Sequence, residues 1–257
     1  MKNPLVLIAS IMFLTGMPLF CLEGKSADRI FAEANTAFLG RADHAKALES
    51  LEAYRGIYKN NPDNFDAAWR LSMACYFVAF NALKDNEAKK RLFAEGRDAG
   101  LEAVERSPGS AEAHFWTAVN MALYGQTAGI FKMLFTLNTV RSHLQKSLEI
   151  DPNYAYGGAF RILGKIDESL PGILGGNKSL ARVNYEKAIA SAPGEPLNYY
   201  FLAKLVLDEY KDKALALEIA YKGLSISSIE TYRVESLDAL RELGNLVKTC
   251  SAKREKP

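Results

Sequence analysis

The sequence predicts an all-α fold, a right-handed α-solenoid of about five degenerate helix pairs closed by a C-terminal capping helix. Three observations carry this. A proline turn recurs as Asn61-Pro62-Asp63-Asn64, Ser107-Pro108-Gly109-Ser110, Asp151-Pro152-Asn153-Tyr154 and Ala192-Pro193-Gly194-Glu195, and its prolines step by 46, 44 and 41 residues. Between these turns apolar residues return every three or four positions. No segment shows a run of strand alternation. A helical period interrupted by proline at a fixed phase is how stacked repeats look in sequence, because each helix pair buries its apolar face only against the next.

Each element follows from the same spacing. In the first unit, about Ile30 to Asp63, small Ala37 lets two helices approach and Gly40 ends the first. Leu48, Leu51, Tyr54, Ile57 and Tyr58 give the second helix one apolar stripe. This unit has close to the ~34 residues of a tetratricopeptide repeat. The third helix, with Phe65, Ala68, Trp69, Ser72, Cys75, Tyr76, Ala79, Phe80 and Leu83, is apolar over a wide arc, as an inner helix packed on both sides must be. Lys84 to Arg91 mixes both charge signs and reads as the solvated start of a helix. Trp69, Trp116 and Tyr200 fall near the repeat's early aromatic position, and Tyr185 and Ala188 near its late aromatic and small positions. A helix from about Glu230 to Lys248 has one charged face and suits a cap on the last repeat. Residues 251–257 form a basic tail, and 27–250 the solenoid.

The later units are longer than the standard repeat by roughly 7–12 residues. The excess lies at Ala82–Ala94, Gly125–Thr139 and Glu168–Asn177. Two of these insertions are apolar, whereas an uncovered loop is polar. They are expected to fold back onto the solenoid or onto a partner.

Of the 257 residues, 49% are hydrophobic and 24% charged, and the net charge is +2. That balance fits a globular protein and gives no electrostatic basis for a nucleic-acid partner. Residues 1–26 read as a signal peptide or lipoprotein signal. Lys2 supplies the positive start, Leu5 to Phe20 is almost wholly apolar, and Pro4, Gly16 and Pro18 argue against a spanning helix. Cys21 stands where a lipidated cysteine would stand, but the large Phe20 precedes it where a lipobox has a small residue. Cleavage after Cys21 or Ser26 competes with lipidation, and both readings stay open. Export follows from this segment, with a membrane tether only through Cys21. Cys75 reads as a small core residue. Cys250 falls in a polar tail open to oxidation, too far along the solenoid to bridge Cys75.

Catalytic signatures are weak. Gly172-Ile173-Leu174-Gly175-Gly176-Asn177-Lys178-Ser179 departs from a phosphate loop only at Asn177. It follows helix and Leu170-Pro171, however, and a phosphate loop follows a buried strand. The better reading makes Gly175 and Gly176 a structural turn and Asn177 or Ser179 the N-cap of the next helix. His44, His114 and His143 show no metal-ligand spacing, and no nucleophile elbow occurs. The chain is expected to be no enzyme and to hold no cofactor or metal.

Aromatic density is the stronger lead. Phe115, Trp116, Tyr124, Phe131 and Phe135 cluster in the third unit, Tyr154, Tyr156 and Phe160 follow, and Leu170, Ile173 and Leu174 come next. Plain core packing explains them. In the competing reading they line a cavity for a small apolar ligand or a partner's hydrophobic segment, with Asn120 the one polar group in an apolar wall.

His114-Phe115-Trp116-Thr117-Ala118-Val119-Asn120, together with Leu170-Pro171-Gly172-Ile173-Leu174-Gly175-Gly176-Asn177-Lys178 leading into Tyr185-Glu186-Lys187-Ala188, resembles the T-component family of tripartite ATP-independent periplasmic (TRAP) transporters. Related stretches occur in eukaryotic regulators of microtubule dynamics, so the motif marks the fold more firmly than the role. The transporter resemblance implies an all-helical periplasmic lipoprotein that associates with the solute-binding protein, forms homo-oligomers and holds a hydrophobic cavity or passage. The alternative is a tetratricopeptide adaptor for envelope protein assembly, with an open concave face that takes a peptide.

Overall fold

The computed structural model describes residues 27–227 and 233–252. Among them are eleven α-helices and no strand. The helices are α1 (Ala27–Leu39), α2 (His44–Asn60), α3 (Phe65–Asn81), α4 (Asn86–Arg106), α5 (Ala111–Ala128), α6 (Ile130–Ile150), α7 (Gly158–Ser169), α8 (Lys178–Ser191), α9 (Pro196–Asp208), α10 (Lys213–Leu224) and α11 (Arg233–Ala252). Each packs on the next along an α-solenoid, and α11 lies on α9 and α10 as a cap.

The proline turns do what their residues dictate. α2 ends before Pro62 and Asn64 caps α3, its Oδ1 accepting the Ala67 N–H at 2.9 Å. α4 ends before Pro108 and Ser110 caps α5. α8 ends before Pro193, and Glu195 caps α9 with Pro196 in its first turn. A side-chain oxygen at each N-cap satisfies an orphan amide, worth about 1 kcal/mol per helix. The Pro152 turn differs. Ala155, Tyr156 and Gly157 all take positive φ, at 50°, 52° and 73°, before α7 starts at Gly158. Left-handed alanine and tyrosine are costly. Arg161 holds them, its guanidinium donating to the Tyr156 carbonyl at 2.6 Å, the Ala155 carbonyl at 3.1 Å and Asn198 Oδ1 at 2.6 Å.

Three apolar clusters run along the solenoid. One joins α1 to α4, a second joins α3 to α7, and a third joins α8 to α11. Small residues set the spacing of the inner helices. Ala67, Ala68, Ser72, Cys75 and Ala79 of α3 are fully buried. On α4, a Cβ at Gly96 would stand 2.6 Å from Asn120, and one at Gly100 2.5 Å from the Thr117 hydroxyl, so α4 and α5 cross at a distance only glycine permits.

The packing corrects several expectations. The buried face of α2 carries Ala47, Ser50, Leu51, Tyr54 and Ile57, while Leu48 is exposed. Leu48 shares its side of the helix with exposed Glu52, four residues on. Cys250 is not in an exposed tail, because α11 continues to Ala252 and buries it in the last cluster. Cys75 and Cys250 are both free and buried. The start of the capping helix before Arg233, the proposed signal residues with Cys21, and the tail from 253 lie outside the described residues.

Candidate functional site

A chamber of about 410 Å³ opens between α3, α5, α6, α7 and α9. α3 contributes Tyr76, Phe77 and Phe80; α5 contributes Phe115, Trp116, Val119, Ala122 and Leu123; α6 contributes Met133, Leu137 and Val140. The facing wall comes from Ile162 and Ile166 of α7, Leu170, and Leu197 and Phe201 of α9. Met133, Leu137 and Val140 lie four and three residues apart, so one face of α6 meets the chamber. The apolar insertion at Gly125–Thr139 thus builds a wall instead of plugging a groove.

The wall is held by ring contacts. Trp116 meets Tyr76 and Phe77 at centroid distances of 5.5 and 5.7 Å and Phe115 edge-on at 4.9 Å. Its indole N–H donates to the Tyr154 hydroxyl at 2.8 Å, which satisfies the one polar atom of a buried ring. Burial pushes the Tyr76 hydroxyl up to about 12, so it stays neutral.

Charged groups also reach the lining, among them Arg161, Glu195 and Glu235. Glu195 is 2% exposed. Its carboxylate accepts the Leu197 N–H at 3.0 Å. Burial pushes its pKa up against the opposing pull of Arg161. Glu235 accepts two hydrogen bonds from Arg41, at 2.7 and 3.2 Å. The Arg41 guanidinium lies over the rings of Phe38 and Phe77, at 4.6 and 4.9 Å. Among the described residues, no group of three or more His, Cys, Asp or Glu side chains could hold a metal ion.

The structure separates the residues singled out in the sequence. Phe115, Trp116 and Leu170 line the chamber. Asn120 does not. It is fully buried behind the wall, where its amide donates to the Ser72 carbonyl and hydroxyl oxygens and to the Trp116 carbonyl. Tyr124 packs on the α1–α4 cluster beneath Arg97, 4.4 Å from its ring centre. Phe131 and Phe135 point to solvent, 77% and 84% exposed, because another face of α6 carries the chamber side chains, and Ile173, in the 3-10 turn Gly172–Leu174, is 94% exposed. Leu174 sits half-buried in a 3-10 turn, Gly172–Leu174, outside the chamber lining.

The glycine stretch is a turn. Gly175 has φ of 86°, and a Cβ on Gly176 would stand 1.8 Å from the Leu170 carbonyl oxygen. Asn177 Oδ1 accepts the Leu180 N–H and so caps α8, and Lys178 pairs with Glu209 at 2.8 Å. Sequence reasoning missed Phe77, Val140, Ile162, Phe201, Arg161, Arg41 and Glu195 as chamber or near-chamber residues. The wide apolar arc of α3 was the available signal for its part of the wall. Nothing local marks the charged ones.

Comparison with known proteins follows this geometry. The family model for regulator of microtubule dynamics protein 1-3 matches residues 30–165. The chain belongs to this family. A regulator of microtubule dynamics protein 1 from Mus musculus is 26% identical over 182 residues, covering 70% of this chain and 59% of the relative. One from Caenorhabditis elegans is 29% identical over 122 residues, covering 48% of this chain and 51% of the relative. The chain thus spans about half to three-fifths of the length of these relatives. A thermophilic TPR protein from Thermus thermophilus superposes with a TM-score of 0.61 at 18% identity, over 84% of this chain and 99% of that one. The fold is therefore a tetratricopeptide-like α-solenoid.

The matched relatives are regulator proteins and the structural neighbour a TPR protein; none of these is an enzyme. They support the similarity to microtubule regulators and do not show a TRAP T-component. The periplasmic location is corrected by them: the matched relatives are animal proteins, and animal cells have no periplasm. Among the described residues, no helix is long and apolar enough to cross a membrane.

Proposed function

We propose that this chain is a non-catalytic adaptor that takes an apolar anchor of a partner protein into the chamber between α3, α5, α6, α7 and α9. The observation that carries this is the chamber's lining. It offers about 410 Å³ walled mainly by aromatic and aliphatic side chains, with a few polar ones among them. Recognition sites have that form, an apolar pocket with a few placed polar groups. A free apolar ligand would compete for the same space.

The test is binding of 8-anilinonaphthalene-1-sulfonate by the purified chain and by Ala122→Phe. Ala122 lines the chamber and is only partly buried, so a ring there fills the space without displacing the core. The expected result is dye fluorescence in the parent, lost in the variant, at an unchanged unfolding midpoint. Equal binding by both would refute the reading.

Family membership favours a second reading, in which the partner belongs to the microtubule system. Co-sedimentation of the chain with polymerised tubulin, lost in Ala122→Phe, would support it.

A further inference from the structure

The chamber lies between two groups of helices. α3, α5 and α6 form one wall, and α7, α9 and the start of α11 form the other. Along the chain these groups meet at α6 and α7, where packing is thinnest among consecutive helices. The junction is reinforced by Arg141, whose guanidinium reaches buried Asp167 at 2.6 Å. A second bridge, between residues 194 positions apart in sequence, joins Arg41 of the α1–α2 turn, packed over Phe77 of α3, to Glu235 in the first turn of α11.

We infer that the Arg41–Glu235 pair is a releasable strap across the chamber, and that its opening admits the apolar anchor. Both ends of the strap are built into the chamber region. Glu235 lines the chamber, and Arg41 lies against Phe77, which lines it too. Arg41 is held from below, its guanidinium donating to the Phe38 carbonyl at 3.2 Å as well as covering two rings. The Arg41 side chain is 3% exposed and that of Glu235 23%.

The energetics suit a strap better than a rivet. For a desolvated ion pair the Coulomb gain and the dehydration cost nearly cancel. Opening rehydrates both charges, so the open state recovers what the closed state gives up. Closure is then set by the apolar walls, which the bound anchor covers in place of water. Glu235 is carried on α11, which packs on α9 and α10, so release lets the start of α11 lift from the chamber rim while α7 stays in the α3–α7 cluster. What the opening admits rests on the chamber reading above; the opening itself does not.

The test reads the gap directly. Spin labels at exposed Ala42→Cys and Asp238→Cys, in a chain with Cys21→Ser, report the separation of the two ends by electron–electron resonance; Cys75 and Cys250 are buried. The parent is expected to show one short distance, and Glu235→Gln a longer, broader population. Dye entry in stopped flow is expected to speed up by about tenfold, which corresponds to about 1.4 kcal/mol lost from the closed state. Should that variant misfold, Arg41→Lys, which keeps the charge and loses the two-pronged contact with Glu235, tests the same opening in the labelled chain. Identical distance distributions in parent and variant overturn the strap. A longer distance with unchanged dye entry also overturns it. If no dye binds to either, the chamber reading fails, and the distances still decide the strap.

Discussion

The side-chain amide of Asn120 donates to the Ser72 carbonyl at 2.8 Å and to its hydroxyl at 3.1 Å, riveting α5 to α3 behind the chamber wall. The same side chain fills the notch left by Gly96 on α4. Three inner helices therefore meet at one amide. Asn120→Ala is expected to lower stability by about 1–3 kcal/mol, the cost of leaving buried polar partners unmet. A urea unfolding curve checks this, with the midpoint falling and the slope unchanged.

Arg161 donates to two backbone carbonyls of a left-handed turn and to Asn198. Arg161→Met keeps much of the side chain's length and removes every donor. The expected loss is about 2–3 kcal/mol, because these hydrogen bonds are charge-assisted and stabilise strained backbone. Thermal unfolding by circular dichroism measures it. An unchanged midpoint would show that the turn needs no staple.

Phe131 and Phe135 are the large exposed rings of α6. The double variant Phe131→Ser, Phe135→Ser is expected to change stability by no more than about 0.5 kcal/mol per site. Dye binding in the chamber should persist. Loss of that binding would place the site on the outer face of α6.

His114 and His143 face each other with Nδ1 atoms 2.9 Å apart, and His114 Nε2 lies 3.0 Å from the Pro108 carbonyl. A carbonyl only accepts, so His114 Nε2 carries its proton and His143 Nδ1 donates to His114 Nδ1. Burial holds both rings below the ordinary value of 6.5, with Lys146 adding to the effect at His114 and His114 at His143. A lowered folded pKa means stability is fully present above 6.5 and is lost as pH falls through the folded values. Urea midpoints measured from neutral to mildly acidic pH should fall less in His143→Gln than in the parent.

Much of the solenoid was legible because its signals are local. Asn64, Ser110 and Asn177 cap helices from within their own turns, and proline stops each preceding helix. Leu48 and Leu51 look alike in sequence, yet only Leu51 is buried. Which residue faces inward depends on how close the neighbouring helix comes. Phe115 and Trp116 stand out in the sequence by aromatic density, which fits core and cavity alike, and they line the chamber. Phe131 and Phe135 share that density and face solvent. Helix periodicity places them on a face without saying which faces meet another helix.

By itself the sequence determined the helix order, the phase of the turns and the all-helical class, since capping, proline geometry and apolar period act within a few residues. Only the tertiary structure decided that the Gly125–Thr139 insertion builds a chamber wall, that Asn120 is a rivet, and that Arg41 meets Glu235. Those outcomes join helices far apart in the chain, and such contacts depend on how each repeat rotates against the next, a small angle that no single segment encodes.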